Sequence, residues 1–205
     1  MLDQKGFDLW ADGYDEAVGV SDEENTYPFA GYREILGRIF ARIARSPGAS
    51  VLDIGFGTGT LTAKLYERGC EIFGQDFSAR MVELAARKIP LAHLFQGDFA
   101  QGLAAPLLAR RYDFIVATYS LHHLTDAQKR PFLALLQGLL KESGTLLIGD
   151  VAFSTRAELE ECRKRAGGKW DDEEFYFVAD ELKEAFPALS FTRVSDCAGI
   201  LALGR

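Results

Sequence analysis

Three glycines at alternate positions, Gly55, Gly57 and Gly59, follow the apolar run Val51 to Ile54 and precede a helical pattern that begins near Leu61. Strand, glycine turn and helix in that order form the geometry of a nucleotide-type site at the carboxyl end of a parallel strand. A residue without Cβ lets a ligand approach the backbone closely. The dinucleotide fingerprint is G-x-G-x-x-G, but here Thr60 stands where its third glycine belongs, and no Gly-Lys-Ser/Thr follows to make a phosphate-cradling Walker loop. Asp76 ends a second apolar run, close to the ~20-residue spacing at which an acid hydrogen-bonds ribose hydroxyls. Its two oxygens can accept from both hydroxyls at once, and an acid here disfavours a 2′-phosphorylated cofactor. Ser78 is available to cap the helix that follows, which frees Asp76 for a ligand. Asp98, in Gly97-Asp98-Phe99, ends a third run. Tyr119, His122 and His123 end a fourth. The histidines read either as hydrogen-bonded shelf residues or, for His122 with Tyr119, as groups facing a substrate. Imidazole suits the second role because its unperturbed pKa of ~6.5 lies near working pH. No metal site is expected, because adjacent side chains diverge and neither cysteine nor carboxylate lies at ligand spacing.

The elements that must position these groups follow from periodicity. Phe7, Trp10, Ala11 and Tyr14 fall on one helical face, and the acidic stretch 21–25 reads as a solvated loop. A helix is expected over 32–44, ended by Ser46-Pro47-Gly48, and strand one over 51–54. A helix then runs to about Arg68, where Gly69 stops it. Strand two spans 71–76, a helix 79–88, strand three 92–96, and strand four 112–118, the last apolar throughout and therefore central. Thr125 caps a helix that Pro131 is expected to split, leaving a longer piece from Phe132 to Leu140. Residues 141–144 read as a turn and 145–149 as strand five, ended by Asp150 on the active-site edge. Helices follow at 158–165, broken by Gly167-Gly168, and at 178–186. The acids among residues 171–174 read as solvated surface, with attraction of a cationic substrate as the competing reading. Two apolar alternating strands, 189–195 and 198–203, close the chain, the second weakened by Gly199.

The 205 residues suit one domain, and 48% hydrophobic against 26% charged residues is ordinary for a globular chain with a sizeable core. The formal net charge of -7 disfavours a nucleic-acid partner. The first residues lack the basic and apolar regions of a signal peptide, and no apolar run approaches the ~18 residues that span a bilayer. Three scattered cysteines, Cys70, Cys162 and Cys197, fit a reduced cytoplasm and spell no metal motif. A cytoplasmic protein with no membrane partner is therefore expected.

The pattern Asp53-x-Gly55-x-Gly57-x-Gly59 resembles motif I of class I S-adenosylmethionine (AdoMet)-dependent methyltransferases. Phe7-Asp8-x-x-Ala11-x-x-Tyr14-Asp15 resembles their N-terminal lid, and Thr118-Tyr119-x-x-His122-His123-Leu124 the end of their fourth strand. The chain is most similar to small, largely uncharacterised bacterial methyltransferases. Asp53 and Asp76 stand where relatives can carry glutamate, and the bulky Phe56 sits between two loop glycines. The resemblance implies a single α/β Rossmann-like domain over 1–205. Its sheet would have seven mostly parallel strands and one antiparallel strand, with helices on both faces. The parts would be a helical lid at 1–45, a cofactor-binding half at 49–150, a substrate-pocket region at 151–188 and a terminal strand pair at 189–205. It implies AdoMet as cofactor, with S-adenosylhomocysteine as product. Tyr14, Asp53, Gly55, Gly57, Gly59, Asp76, Phe77, Asp98, Phe99 and Thr118 would bind it. Among these, Tyr14 would lie over the sulfonium, which is attracted to aromatic faces, Asp76 would hold the ribose and Asp98 the adenine amino group. His122 and Tyr119 are the catalytic candidates for methyl transfer to a small-molecule acceptor, by a monomer or homodimer. A non-catalytic sensor of AdoMet or S-adenosylhomocysteine is the alternative. A nicotinamide-dependent reductase is a further one, against which Thr60 speaks.

Overall fold

The computed structural model describes residues 26–205, so the lid motif and Tyr14 lie outside the described residues. Strands β1 (Ser50–Ile54), β2 (Glu71–Asp76), β3 (His93–Gln96) and β4 (Tyr112–Thr118) alternate with helices α1 (Tyr32–Ile43), α2 (Thr60–Glu67), α3 (Ala79–Lys88) and the short α4 (Ala105–Leu108). Then come α5 (Asp126–Gly138), β5 (Leu140–Phe153), α6 (Arg156–Ala166), β6 (Phe177–Val178), α7 (Ala179–Lys183), β7 (Ser190–Arg193) and β8 (Ala198–Gly204). The sheet order is β3-β2-β1-β4-β5-β8-β7, with β6 paired to β5 off that path. All pairings are parallel except those of β8 with β5 and β7. This is the doubly wound arrangement expected, with one antiparallel strand and the two-residue β6 as an addition.

Alternation along each strand divides the core between the two faces of the sheet. Leu52, Ile54, Ile115, Leu146 and Ile148 pack toward Phe132, Leu133 and Leu136 of α5. Val51, Val116, Leu147 and Val151 pack toward Ile35, Ile39 and Ile43 of α1, with Leu61 and Leu65 of α2. Every residue of β1 is buried, as a strand covered by helices on both sides must be. Among the described residues, no helix is long and apolar enough to cross a membrane.

Five local expectations are corrected. Pro131 does not split α5, which runs unbroken from Asp126 to Gly138. Proline removes one backbone bond but its φ is compatible with a helix, and the capping box of Thr125 with Gln128 anchors the start. The expected turn at 141–144 is absorbed into β5 as a bulge opposite the Tyr112/Phe114 register shift. β5 also continues past Asp150, because β8 pairs Asp150 with Gly199 and β6 pairs Ala152 with Phe177. The helix expected over 178–186 shrinks to Ala179–Lys183, since Phe177 and Val178 are taken into the sheet. Gly199 does not weaken its strand: a Cβ there would lie 2.4 Å from the Phe191 ring, so the close crossing of that ring requires glycine.

Candidate active site

The glycine turn is held by the sheet beneath it. Gly55 N–H donates to the Gln75 carbonyl at 2.8 Å, Gly59 N–H to the Phe56 carbonyl at 3.0 Å, and Gly57 N–H to Asp76 Oδ2 at 2.8 Å. The other Asp76 oxygen accepts from Ser78 N–H at 2.9 Å, while Ser78 Oγ caps α3 by accepting from Met81 N–H. Asp76 thus braces the glycine turn with one oxygen and the start of α3 with the other. Gly55 has φ 70, and a Cβ on it would lie 2.4 Å from Ser120 Cβ. Ser120 Oγ in turn donates to the Ile54 carbonyl at 2.7 Å. Asp53 lies beneath the turn, 1% exposed, and accepts from Thr62 Oγ1 at 2.5 Å. Burial pushes its pKa to about 7, opposed by the Thr62 bond and reinforced by the nearby Asp76 charge.

A cavity of about 230 Å³ opens above this turn. Gly55, Gly57, Asp76, Phe77, Asp98, Phe99 and Thr118 line one end of it. Asp98 Oδ1 accepts from Ala100 N–H at 2.8 Å, and the Phe99 ring stacks on Phe132. Tyr119 and His122 line the other end together with Phe29, Tyr32, His123 and Glu174. The structure thus brings together nine of the twelve residues expected from sequence. Asp53 and Gly59 do not line the cavity, and Tyr14 lies outside the described residues. A glycine-floored turn beside a carboxylate that lines the same cavity fits the adenosyl part of AdoMet.

The far end is an acid–base cluster. β4 leads into a single turn of 3-10 helix, Leu121–His123, which seats Leu121 in the core and turns both histidines inward. Tyr119, at the strand end, holds φ 50, unusual for a residue with a side chain, and its ring clusters with those of Phe29 and Tyr32 at 5.3 and 5.1 Å. His122 Nδ1 lies 2.7 Å from Asp150 Oδ1, and His122 Nε2 lies 3.5 Å from Glu174 Oε1. Asp150 is fully buried in β5, and its Oδ1 also accepts from Val151 N–H. Burial pushes His122 toward the neutral form, but the Asp150 charge and hydrogen bond, with Glu174, outweigh it and raise the pKa above the usual 6.5. His123 goes the other way, to about 3, through burial and the neighbouring His122.

Glu174 reaches this cluster through its own supports. Tyr176 OH donates to its Oε2 at 2.7 Å, and Phe175 N–H donates to the His122 carbonyl at 2.8 Å. The buried Lys129 of α5 donates to the carbonyls of Phe175 and Tyr176 and pairs with Asp126 at 3.1 Å. His122, His123 and Glu174 each offer one ligand-type atom, all within 4.8 Å of one another. The structure thus gathers two imidazoles and a carboxylate that their spacing in sequence did not place together.

Sequence reasoning missed Phe29, Tyr32 and Glu174. Of the acids read as solvated surface, Asp171, Asp172 and Glu173 are indeed exposed, but Glu174 turns inward. The signal lay in its setting: Glu174 stands two and three residues before Tyr176 and Phe177, aromatics that bury while the intervening Phe175 stays exposed.

The fold and the turn define a class I methyltransferase architecture, and comparisons with known proteins agree. A methyltransferase-domain family model matches residues 51–144. An uncharacterised methyltransferase of Geobacillus kaustophilus is 38% identical over 194 residues, covering 91% of this chain and 87% of that relative. One from Oceanobacillus iheyensis is 30% identical over 207 residues, covering 96% and 94%. Among solved structures, the DhpI–SAH complex superposes with a TM-score of 0.70 at 19% identity, covering 97% of this chain and 93% of that one. Magnesium protoporphyrin IX methyltransferase from Synechocystis with bound SAH superposes at 0.66 and 21% identity, covering 85% and 83%. The chain belongs to this family of AdoMet-dependent methyltransferases.

Proposed function

We propose that the protein methylates a small-molecule acceptor bound between the glycine turn and the histidine pair, with His122 as general base. AdoMet, when bound, supplies the methyl group as an electrophile activated by a sulfonium. Gly55 and Gly57 let its adenosyl part lie against the backbone, Asp76 accepts from the ribose hydroxyls, and Asp98 and Phe99 border the adenine. Thr118 and Phe77 complete that end, while Asp53 ties β1 to α2 beneath it. Tyr119, with Phe29 and Tyr32, walls the space where acceptor and methyl meet, excludes water and offers aromatic faces to the sulfonium. His122 takes the acceptor's proton at Nε2, while Asp150 holds Nδ1–H and stabilises the imidazolium. The observation that carries this reading is the His122–Asp150 pair at 2.7 Å, on the same cavity that Asp76 and the glycine turn line. The absence of a basic lining among the described residues and the net charge of -7 favour a small molecule over a nucleic acid.

Thermal unfolding against AdoMet, S-adenosylhomocysteine, NAD and NADP tests the cofactor assignment. A ligand at 100 times its dissociation constant adds ~2.7 kcal/mol, which is roughly 5–11 °C for a chain of this size. A shift with the two adenosyl-sulfur ligands alone is expected, and a shift with NAD alone would overturn the assignment.

A further inference from the structure

We infer that the acceptor is an amine, bound as its ammonium by Glu174 and deprotonated by His122. The inference rests on the methyltransferase reading above and deepens it. Its basis is the charge at the acceptor end of the cavity. Two carboxylates, Asp150 and Glu174, flank a single imidazole there, and among the described residues no lysine or arginine lines the cavity. A carboxylate, phosphate or phosphonate acceptor would meet Glu174 with no lysine or arginine to offset the repulsion, and the His122 ring is already shared with Asp150 and Glu174. A neutral hydroxyl or thiol would add no positive charge opposite Glu174, which is 22% exposed and, among the described residues, has only the Tyr176 hydroxyl and the His122 ring beside it.

Glu174 is also held rather than free to swing away. Tyr176 OH grips one of its oxygens, and the Lys129 ammonium holds the carbonyls of the next two residues. The free geometry matches a nitrogen with several protons. Glu174 Oε1 and His122 Nε2 are 3.5 Å apart, so one ammonium nitrogen about 2.9 Å from each can donate to both. Aromatic faces of Phe29, Tyr32 and Tyr119 complete a lining suited to a cation.

The chemistry then balances. The ammonium gives one proton to His122 Nε2 and becomes a neutral amine with a free lone pair. That pair forms the N–C bond as the methyl–sulfur bond breaks, and the electrons of the broken bond stay on sulfur. The methylated product remains an ammonium opposite Glu174, and the proton leaves His122 to solvent. Asp150 is a positioning residue here, acting through His122.

The test uses the whole protein with AdoMet and three probes of one skeleton: 2-phenylethylamine, 2-phenylethanol and 2-phenylethanethiol. Turnover is read as S-adenosylhomocysteine formed, and binding as titration into the S-adenosylhomocysteine complex. The amine is expected to bind and to be the preferred acceptor. Glu174→Gln should raise its KM roughly 10- to 100-fold, the loss of a charge-assisted hydrogen bond, with AdoMet affinity unchanged. Turnover of the alcohol or thiol in preference to the amine would overturn the inference and leave the methyltransferase reading intact. So would an amine that neither binds nor reacts while AdoMet still binds, or one whose KM ignores Glu174→Gln. Failure to bind AdoMet at all would instead overturn the reading on which the inference rests.

Discussion

Gly55→Ala separates two costs that the structure places at one atom. The residue has φ 70, and the added Cβ would lie 2.4 Å from Ser120 Cβ and 2.9 Å from its Oγ. Left-handed φ on an alanine costs about 1–2 kcal/mol. Pushing Ser120 aside breaks its Oγ–H bond to the buried Ile54 carbonyl, worth about 1–2 kcal/mol when the carbonyl is left unpaired. The sum is about 2–4 kcal/mol, or roughly 5–15 °C in Tm for a chain of this length. Urea unfolding reads it directly, with the midpoint falling and the slope unchanged. Combining Gly55→Ala with Ser120→Gly removes the collision but not the φ strain. The double variant should therefore be less destabilised than the sum of the singles, with a coupling of about 1–2 kcal/mol. A Gly55→Ala protein within about 0.5 kcal/mol of wild type, or a coupling near zero, would refute the contact argument.

Asp76→Ala should weaken AdoMet by about 1–3 kcal/mol through loss of the ribose bonds; unchanged affinity by calorimetry would remove that role. His122, whose pKa Asp150 and Glu174 raise against burial, acts as base only when neutral, so kcat/KM should climb with pH through an inflection above 6.5. Asp150→Asn keeps an acceptor for Nδ1–H but removes the charge, so the inflection should move to lower pH; a profile that stays put would show that the pair does not tune the base. Asp53 has a folded pKa near 7 against ~3.9 unfolded, from burial first. The folded state then holds the extra proton between these values, so this group costs stability as pH rises through that window. Asp53→Asn should flatten the loss seen in urea unfolding between about pH 4 and 7, and an unchanged slope would contradict the burial effect.

The half of the site proposed to grip the cofactor was legible because its signals are local. Gly55, Gly57, Asp76 and Asp98 each sit within a few residues of a strand end that the apolar runs mark, and parallel topology then carries those ends to one edge. The acceptor end was not, because its parts are distant in sequence. Glu174 and His122 are joined only when β6 pairs with β5 and Lys129 reaches across from α5. Adjacent histidines were expected to diverge, yet a 3-10 turn aims both inward with ring centroids 4.3 Å apart. Pro131 and the 141–144 turn misled for a related reason: a local breaker yields where capping, burial or a bulge offsets its cost.

Asp150 is built into β5, hydrogen-bonded through a central sheet, whereas Glu174 rides on a connecting segment held by Lys129, by the Tyr176 hydroxyl and by the Phe175 N–H bond to the His122 carbonyl. Proton chemistry and molecular recognition therefore rest on parts of unequal stiffness. On the proposed reading, changes in the length or sequence of the segment before Glu174 can alter which acceptor is admitted while the His122–Asp150 pair stays in place. A scaffold of this kind lends itself to divergence: one proton-handling centre can serve a series of acceptors, each defined by a different replaceable rim.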